Sequence, residues 1–114
     1  MLRLAIAALL AFALPAWASE ERPLSGAGIA RLLTDAEVIG EGTRQTFYAS
    51  GRTRYNDGRE SWGYWRVDGD RYCSQWPPQE GWVCYDMRSW EEGGRVWIAW
   101  IGDSGARFEG YLRR

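Results

Sequence analysis

SWGYWRVDGDRYCSQWPPQEGWVCY, residues Ser61 to Tyr85, holds both cysteines of the chain and four of its eight tryptophans. Two aromatic-rich runs, Ser61 to Val67 and Asp70 to Trp76, flank Asp68-Gly69. Asp-Gly between such runs is a strong hairpin signal, because the favoured two-residue turn needs positive φ at both positions. That turn sets Val67 opposite Asp70, Trp65 opposite Tyr72 and Tyr64 opposite Cys73. Pro77, Pro78, Gln79, Glu80 and Gly81 break the pattern again before Trp82 to Met87. With this second turn centred between Pro78 and Gln79, Cys73 faces Cys84, Tyr72 faces Tyr85 and Gln75 faces Trp82.

The two registers agree on faces. Trp65, Val67, Tyr72, Trp76, Val83, Tyr85 and Met87 share one face, where Gly63 and Ser74 leave room between large rings. Trp62, Tyr64, the cysteine pair and Trp82 share the other. Cross-strand aromatic pairs add about 0.2–1 kcal/mol each relative to alanine pairs. Both faces are apolar enough to be covered, which points to a curved or closed sheet rather than an open one.

Outward from this stretch the chain reads as strands from Ala36 onward. Ala36 to Gly40, Arg44 to Ala49, Arg52 to Asn56, Glu60 to Val67, Asp70 to Trp76, Trp82 to Arg88, Arg95 to Ile101 and Ala106 to Leu112 are the candidates. Gly-rich or Asp-Gly turns separate them, including Asp57-Gly58, Glu92-Gly93-Gly94 and Gly102 to Gly105. Short strands at regular spacing predict a mainly β fold: an antiparallel meander of seven or eight strands, as a curved sheet or a small barrel. Before them, Ser25 is an N-cap candidate for a short helix whose Ile29, Leu32 and Leu33 lie on one face. The helix is expected to cap one end or edge of the sheet. Residues 24–114 thus form one small β domain, and Ser19 to Pro23 a flexible start.

Met1 to Ala18 has the pattern of a secretory leader: Arg3, the apolar run Leu4 to Leu14, then Ala16-Trp17-Ala18 as a small-x-small cleavage site. The apolar run falls short of the ~20 residues that a membrane span needs. The expectation is export, with cleavage near Ala18-Ser19, to a periplasmic or secreted location, and no transmembrane segment in the mature chain. Two cysteines in an exported chain of this size predict a Cys73–Cys84 disulfide. On a loop-entropy basis it stabilises the fold by about 3 kcal/mol.

The order of a short N-terminal helix, a β-meander, Gly63-x-Trp65-x-Val67-x-Gly69, then Cys73, Trp76 and Cys84 resembles small secreted domains of unknown function from alphaproteobacteria. The likeness covers most of the chain after the leader. It implies an envelope protein with a meander fold, and it brings no established activity. Some similar small proteins carry enzyme names such as dihydrodipicolinate reductase, but no Gly-x-Gly-x-x-Gly follows a strand here.

Composition excludes several chemistries. There is no histidine, and all fourteen basic residues are arginine, so neither a histidine nor a lysine base exists. Gly102-Asp103-Ser104-Gly105 therefore lacks the partner that a nucleophilic serine requires, and reads as a β-turn. Two thiols without histidine make no metal site, and Asp68-Gly69-Asp70 does not match a calcium loop. A net charge of −1 carries no nucleic-acid footprint. Asp57, Asp68, Asp70, Asp86, Asp103 and Glu91-Glu92 are the carboxylates left for a hydrolase, the least favoured reading. No cofactor, metal or catalytic residue is expected, and the chain reads as a binding module rather than an enzyme.

Exposed tryptophan and tyrosine give large contact area at low entropy cost. The extended register groups Tyr48, Thr53, Tyr55, Trp62, Gln75 and Trp82, and the candidate binding face is Tyr48, Tyr55, Trp62, Tyr64 and Trp82. It is either an interior lining or a surface platform. Three occupants fit it: an envelope protein docking on an aromatic patch, which is preferred; a small apolar ligand inside a barrel; or a cell-wall glycan on the rings.

Overall fold

A computed structural model of the chain describes residues 18–114. The leader expected at Met1 to Ala18 lies, except for Ala18, outside the described residues. Among the described residues the elements in chain order are β1 (Arg22–Pro23), α1 (Gly26–Leu33), β2 (Ala36–Gly40), β3 (Thr43–Phe47) and β4 (Arg52–Asn56). They continue with β5 (Glu60–Asp68), β6 (Arg71–Gln75), β7 (Val83–Glu92), β8 (Arg95–Ile101) and β9 (Arg107–Arg113).

The sheet is all antiparallel, and every strand from β2 to β9 pairs with its neighbour in sequence. It also closes. Glu37, Val38 and Ile39 of β2 pair with Arg113, Leu112 and Tyr111 of β9. The result is an eight-stranded up-and-down barrel with no open edge between its first and last strands.

Two hairpins define the core. The expected pairing of Cys73 with Cys84 and of Tyr72 with Tyr85 is present, and the two sulfurs form a disulfide. The first hairpin differs from its expected register by two positions. Val67 faces Tyr72, Trp65 faces Ser74, and the turn is Gly69-Asp70 rather than Asp68-Gly69. Gly69 has φ +59°, and glycine in the first place of a two-residue turn is the type II′ solution. A slip of two keeps every side chain on its face, whereas a slip of one inverts them all. Trp65 and Tyr72 accordingly both point inward and are buried.

The β4–β5 turn shows the other case. Asp57, Gly58 and Arg59 make a three-residue loop, so Asn56 faces Glu60, Tyr55 faces Ser61 and Arg54 faces Trp62. The expected grouping of Thr53 and Tyr55 with Trp62 corresponds to a two-residue turn. With one residue more, Thr53 and Tyr55 belong to the inner wall and Trp62 to the outer.

One end of the barrel is filled. Phe47 is its centre, packed edge-on against Trp65 at 5.6 Å and Tyr72 at 5.9 Å, and stacked on Trp100 at 6.1 Å between ring centroids. Met87 and Ile98 complete this layer, and Ile29 and Leu33 of α1 lie over it fully buried. Each such aliphatic side chain contributes about 1.5–3 kcal/mol when removed from water. The helix is short and depends on its ends. Ser25 Oγ accepts from the Gly28 N–H at 3.1 Å, and the Arg114 guanidinium donates to the carbonyls of Arg31 and Leu32.

Ser19 to Pro23, expected as a flexible start, lies along β7. Ser19 bonds twice to Glu91, through its own N–H and by accepting from the Glu91 N–H at Oγ, and Arg22 and Pro23 face Ser89 and Arg88. Among the described residues no helix is long and apolar enough to cross a membrane.

Candidate functional site

The end of the barrel away from α1 is open. Its inner wall is set by strand alternation: Gln45 from β3, Tyr55 from β4, Tyr72 and Ser74 from β6, Tyr85 from β7 and Trp100 from β8. Trp76 follows β6 and meets Tyr55 edge-on at 6.1 Å, while Phe108 of β9 meets Tyr85 edge-on at 6.3 Å. The space at this end, counting the mouth and the adjoining outer wall, is about 1410 Å³.

Gly63 makes room for it. A Cβ there would lie 2.6 Å from the Gln75 carbonyl oxygen and 2.7 Å from the Trp76 ring. Glycine at this position therefore lets Trp76 fold across β5 and form part of the wall. Its indole is held by Ser74, whose Oγ accepts from Trp76 Nε1 at 3.2 Å.

The floor is polar and neutral. Gln45 Nε2 donates to Thr53 Oγ1 at 3.0 Å and to the Tyr72 hydroxyl at 3.4 Å. Thr53 Oγ1 donates onward to the Thr46 carbonyl at 2.8 Å. Burial pushes the Tyr72 phenol well above its ordinary pKa, with its hydrogen bonds to Ser74 and Gln45 acting in the opposite direction. It therefore stays protonated and neutral. Trp100 is buried, and its Nε1–H has no acceptor among the described residues.

Charge is confined to the outside. No inward-facing position of β2 to β9 between the floor and the mouth carries Asp, Glu or Arg; Glu41, Asp57, Arg107 and Glu109 border the mouth and the adjoining outer wall. Four of the carboxylates singled out in the sequence are bonded away from the cavity. Asp70 holds the Gly26 N–H, Asp86 and Asp103 both hold Arg71, and Glu92 accepts from Trp90 Nε1. Asp57 Oδ1 accepts from the Arg59 N–H within its own turn. Among the described residues no three of His, Cys, Asp and Glu are grouped to hold a metal ion.

The five candidate face residues divide between the two walls. Tyr55 lies inside, in the cavity. Tyr48, Trp62, Tyr64 and Trp82 lie outside, where Tyr48 stacks on Trp62 at 5.9 Å and Trp82 sits under the Arg66 guanidinium at 4.0 Å. Gln45, Trp100 and Phe108 are cavity residues that the sequence reading did not select. Alternation alone signals which of them face inward; nothing local signals that their strands converge.

No family model, no curated protein and no solved structure matches the chain.

Proposed function

We propose that this chain is an exported binding module whose barrel holds a small, neutral, mainly apolar ligand, with no catalytic step of its own. One observation carries the reading: the open end is walled by aromatic rings, has an uncharged interior, and sets the hydrogen-bonded Gln45, Thr53 and Tyr72 at its floor. A mostly apolar concavity with a few convergent polar groups is what a small-molecule site requires. Rings favour a flat or cyclic body, and a single oxygen on that body would meet the Trp100 N–H or the Gln45–Tyr72 pair. A charged ligand would lose its hydration to walls that offer no counter-charge. The leader pattern and the disulfide favour an oxidising compartment outside the cytoplasm, periplasmic or secreted.

The test is native mass spectrometry of the protein isolated from its own envelope fraction, followed by titration with N-phenyl-1-naphthylamine, a neutral apolar probe. The expected result is retained mass that leaves on activation, or probe fluorescence that rises on binding and falls when Trp76→Ala removes part of the wall. A bare monomer that also leaves the probe dark would overturn the reading.

A further inference from the structure

We infer that the outer wall of β4 and β5 carries a second site, which takes an extended acidic segment of a protein partner. Of its residues only Trp62 also borders the space at the open end, from the outer wall. Arg52 faces Tyr64 and Arg54 faces Trp62 across the two strands. The Arg52 guanidinium lies 4.8 Å from the Trp62 ring centre and 5.8 Å from that of Tyr64, and Arg54 lies 5.8 Å from Trp62. Arg66, farther along β5, covers Trp82 at 4.0 Å. The rings are not buried by this packing: Trp62 and Tyr64 are each 42% exposed.

A guanidinium held against a ring by cation–π attraction is restrained, while its N–H donors stay free for a ligand. The fork is thereby oriented before a ligand arrives, and its natural complement is a carboxylate taken by two parallel hydrogen bonds. The strip has little internal neutralisation. Arg54 has Glu60 at 3.8 Å, and among the described residues Arg52 and Arg66 form no ion pair. A chain with net charge −1 has thus gathered three arginines on one patch.

Spacing selects the partner. Arg52 and Arg54 are alternate residues of one strand, so their side chains leave the wall about 6.4–6.8 Å apart. Alternate side chains of an extended peptide repeat at that same distance. Two carboxylates two residues apart can therefore engage both forks, while the peptide's aliphatic portions cover Trp62 and Tyr64. Arginine with tryptophan and tyrosine is also the composition that dominates protein–protein hot spots.

The experiment uses the oxidised full-length mature protein and a dye-labelled peptide of alternating glutamate and alanine, read by fluorescence anisotropy. A glutamine–alanine peptide is the neutral control. Binding to the glutamate peptide alone is expected, weakening as salt rises. Arg52→Gln with Arg66→Gln should lower affinity at least tenfold, Arg52→Lys should lower it less, and Arg88→Gln should leave it unchanged. Near-UV circular dichroism confirms that each variant is folded. Equal binding of both peptides, no binding at low salt, or an equal loss with Arg88→Gln would each overturn the site. Binding of an anionic glycan oligomer in place of the glutamate peptide would overturn the assignment to a protein partner.

Discussion

The backbone N–H of Gly26 donates to Oδ1 of Asp70 at 2.8 Å, joining the first turn of α1 to the β5–β6 turn across 44 residues of sequence. The two segments touch closely. A Cβ on Gly26 would lie 2.1 Å from the Gly69 carbonyl oxygen, a backbone atom with no side chain to move aside. The plug of the barrel is therefore latched onto the same hairpin that supplies Trp65 and Tyr72 to the core.

This latch makes a graded prediction. Asp70→Ala leaves the Gly26 N–H without its acceptor and should cost about 1–2 kcal/mol in urea unfolding. Asp70→Asn keeps an oxygen in place and should recover most of that. Gly26→Ala should be worse than Asp70→Ala, because helix and turn must separate. An unchanged urea midpoint for Gly26→Ala would contradict the docked geometry.

The disulfide has its own test. Cys73 and Cys84 are direct neighbours on β6 and β7, close a loop of 11 positions, and leave no free cysteine. Replacing both by alanine, or reducing the bond, should cost about 3 kcal/mol on the loop-entropy scale. The comparison is the urea midpoint with and without a thiol reductant. The double alanine variant should show no further response to the reductant.

Alkaline pH should act through Tyr72. Its folded pKa is raised by burial, so the native state holds its proton more tightly than the unfolded chain does. The stability tied to this proton is fully present below the unfolded value of about 10 and is lost as pH rises through the folded value. Urea unfolding between pH 8 and 11 should show stability falling above pH 10. Tyr72→Phe should flatten that fall, and a variant with the same slope as the parent would refute the assignment.

How much of this was legible in the sequence depends on how local each signal was. The β6–β7 register was legible because the Pro-Pro loop and the paired cysteines agree on one centre. The neighbouring turn lies one residue beyond the expected Asp68-Gly69, which shifts the pairing by two, because Asp68-Gly69 and Gly69-Asp70 are both acceptable turns in isolation. Asp70's bond to Gly26, a tertiary contact, accompanies the second. That error left the inner residues intact. A single extra residue at Asp57-Gly58-Arg59 did more, moving Tyr55 and Thr53 inside, away from Trp62.

Closure was legible only as one of two alternatives, a curved sheet or a small barrel. Val38 and Leu112 face each other across the β2–β9 seam, yet no local pattern links strands so far apart in sequence. The cavity shares that limit. Tyr55, Trp76 and Phe108 come from separate parts of the chain, and only the closed wall makes them neighbours. Their inward direction follows from alternation, but their convergence follows from topology.

The arrangement at β7 bears on how copies of this protein meet one another. β7 extends over Val83–Glu92, but only Val83 to Tyr85 face β6. Beyond that point its hydrogen-bonding side is covered by the chain's own start: Leu24 donates to the Met87 carbonyl, Arg22 and Pro23 face Ser89 and Arg88, and Ser19 reaches Glu91. Those few residues act as a guard strip. A chain trimmed to begin after Pro23 would offer a bare strand margin to its twin, and two such barrels would join edge to edge as a dimer.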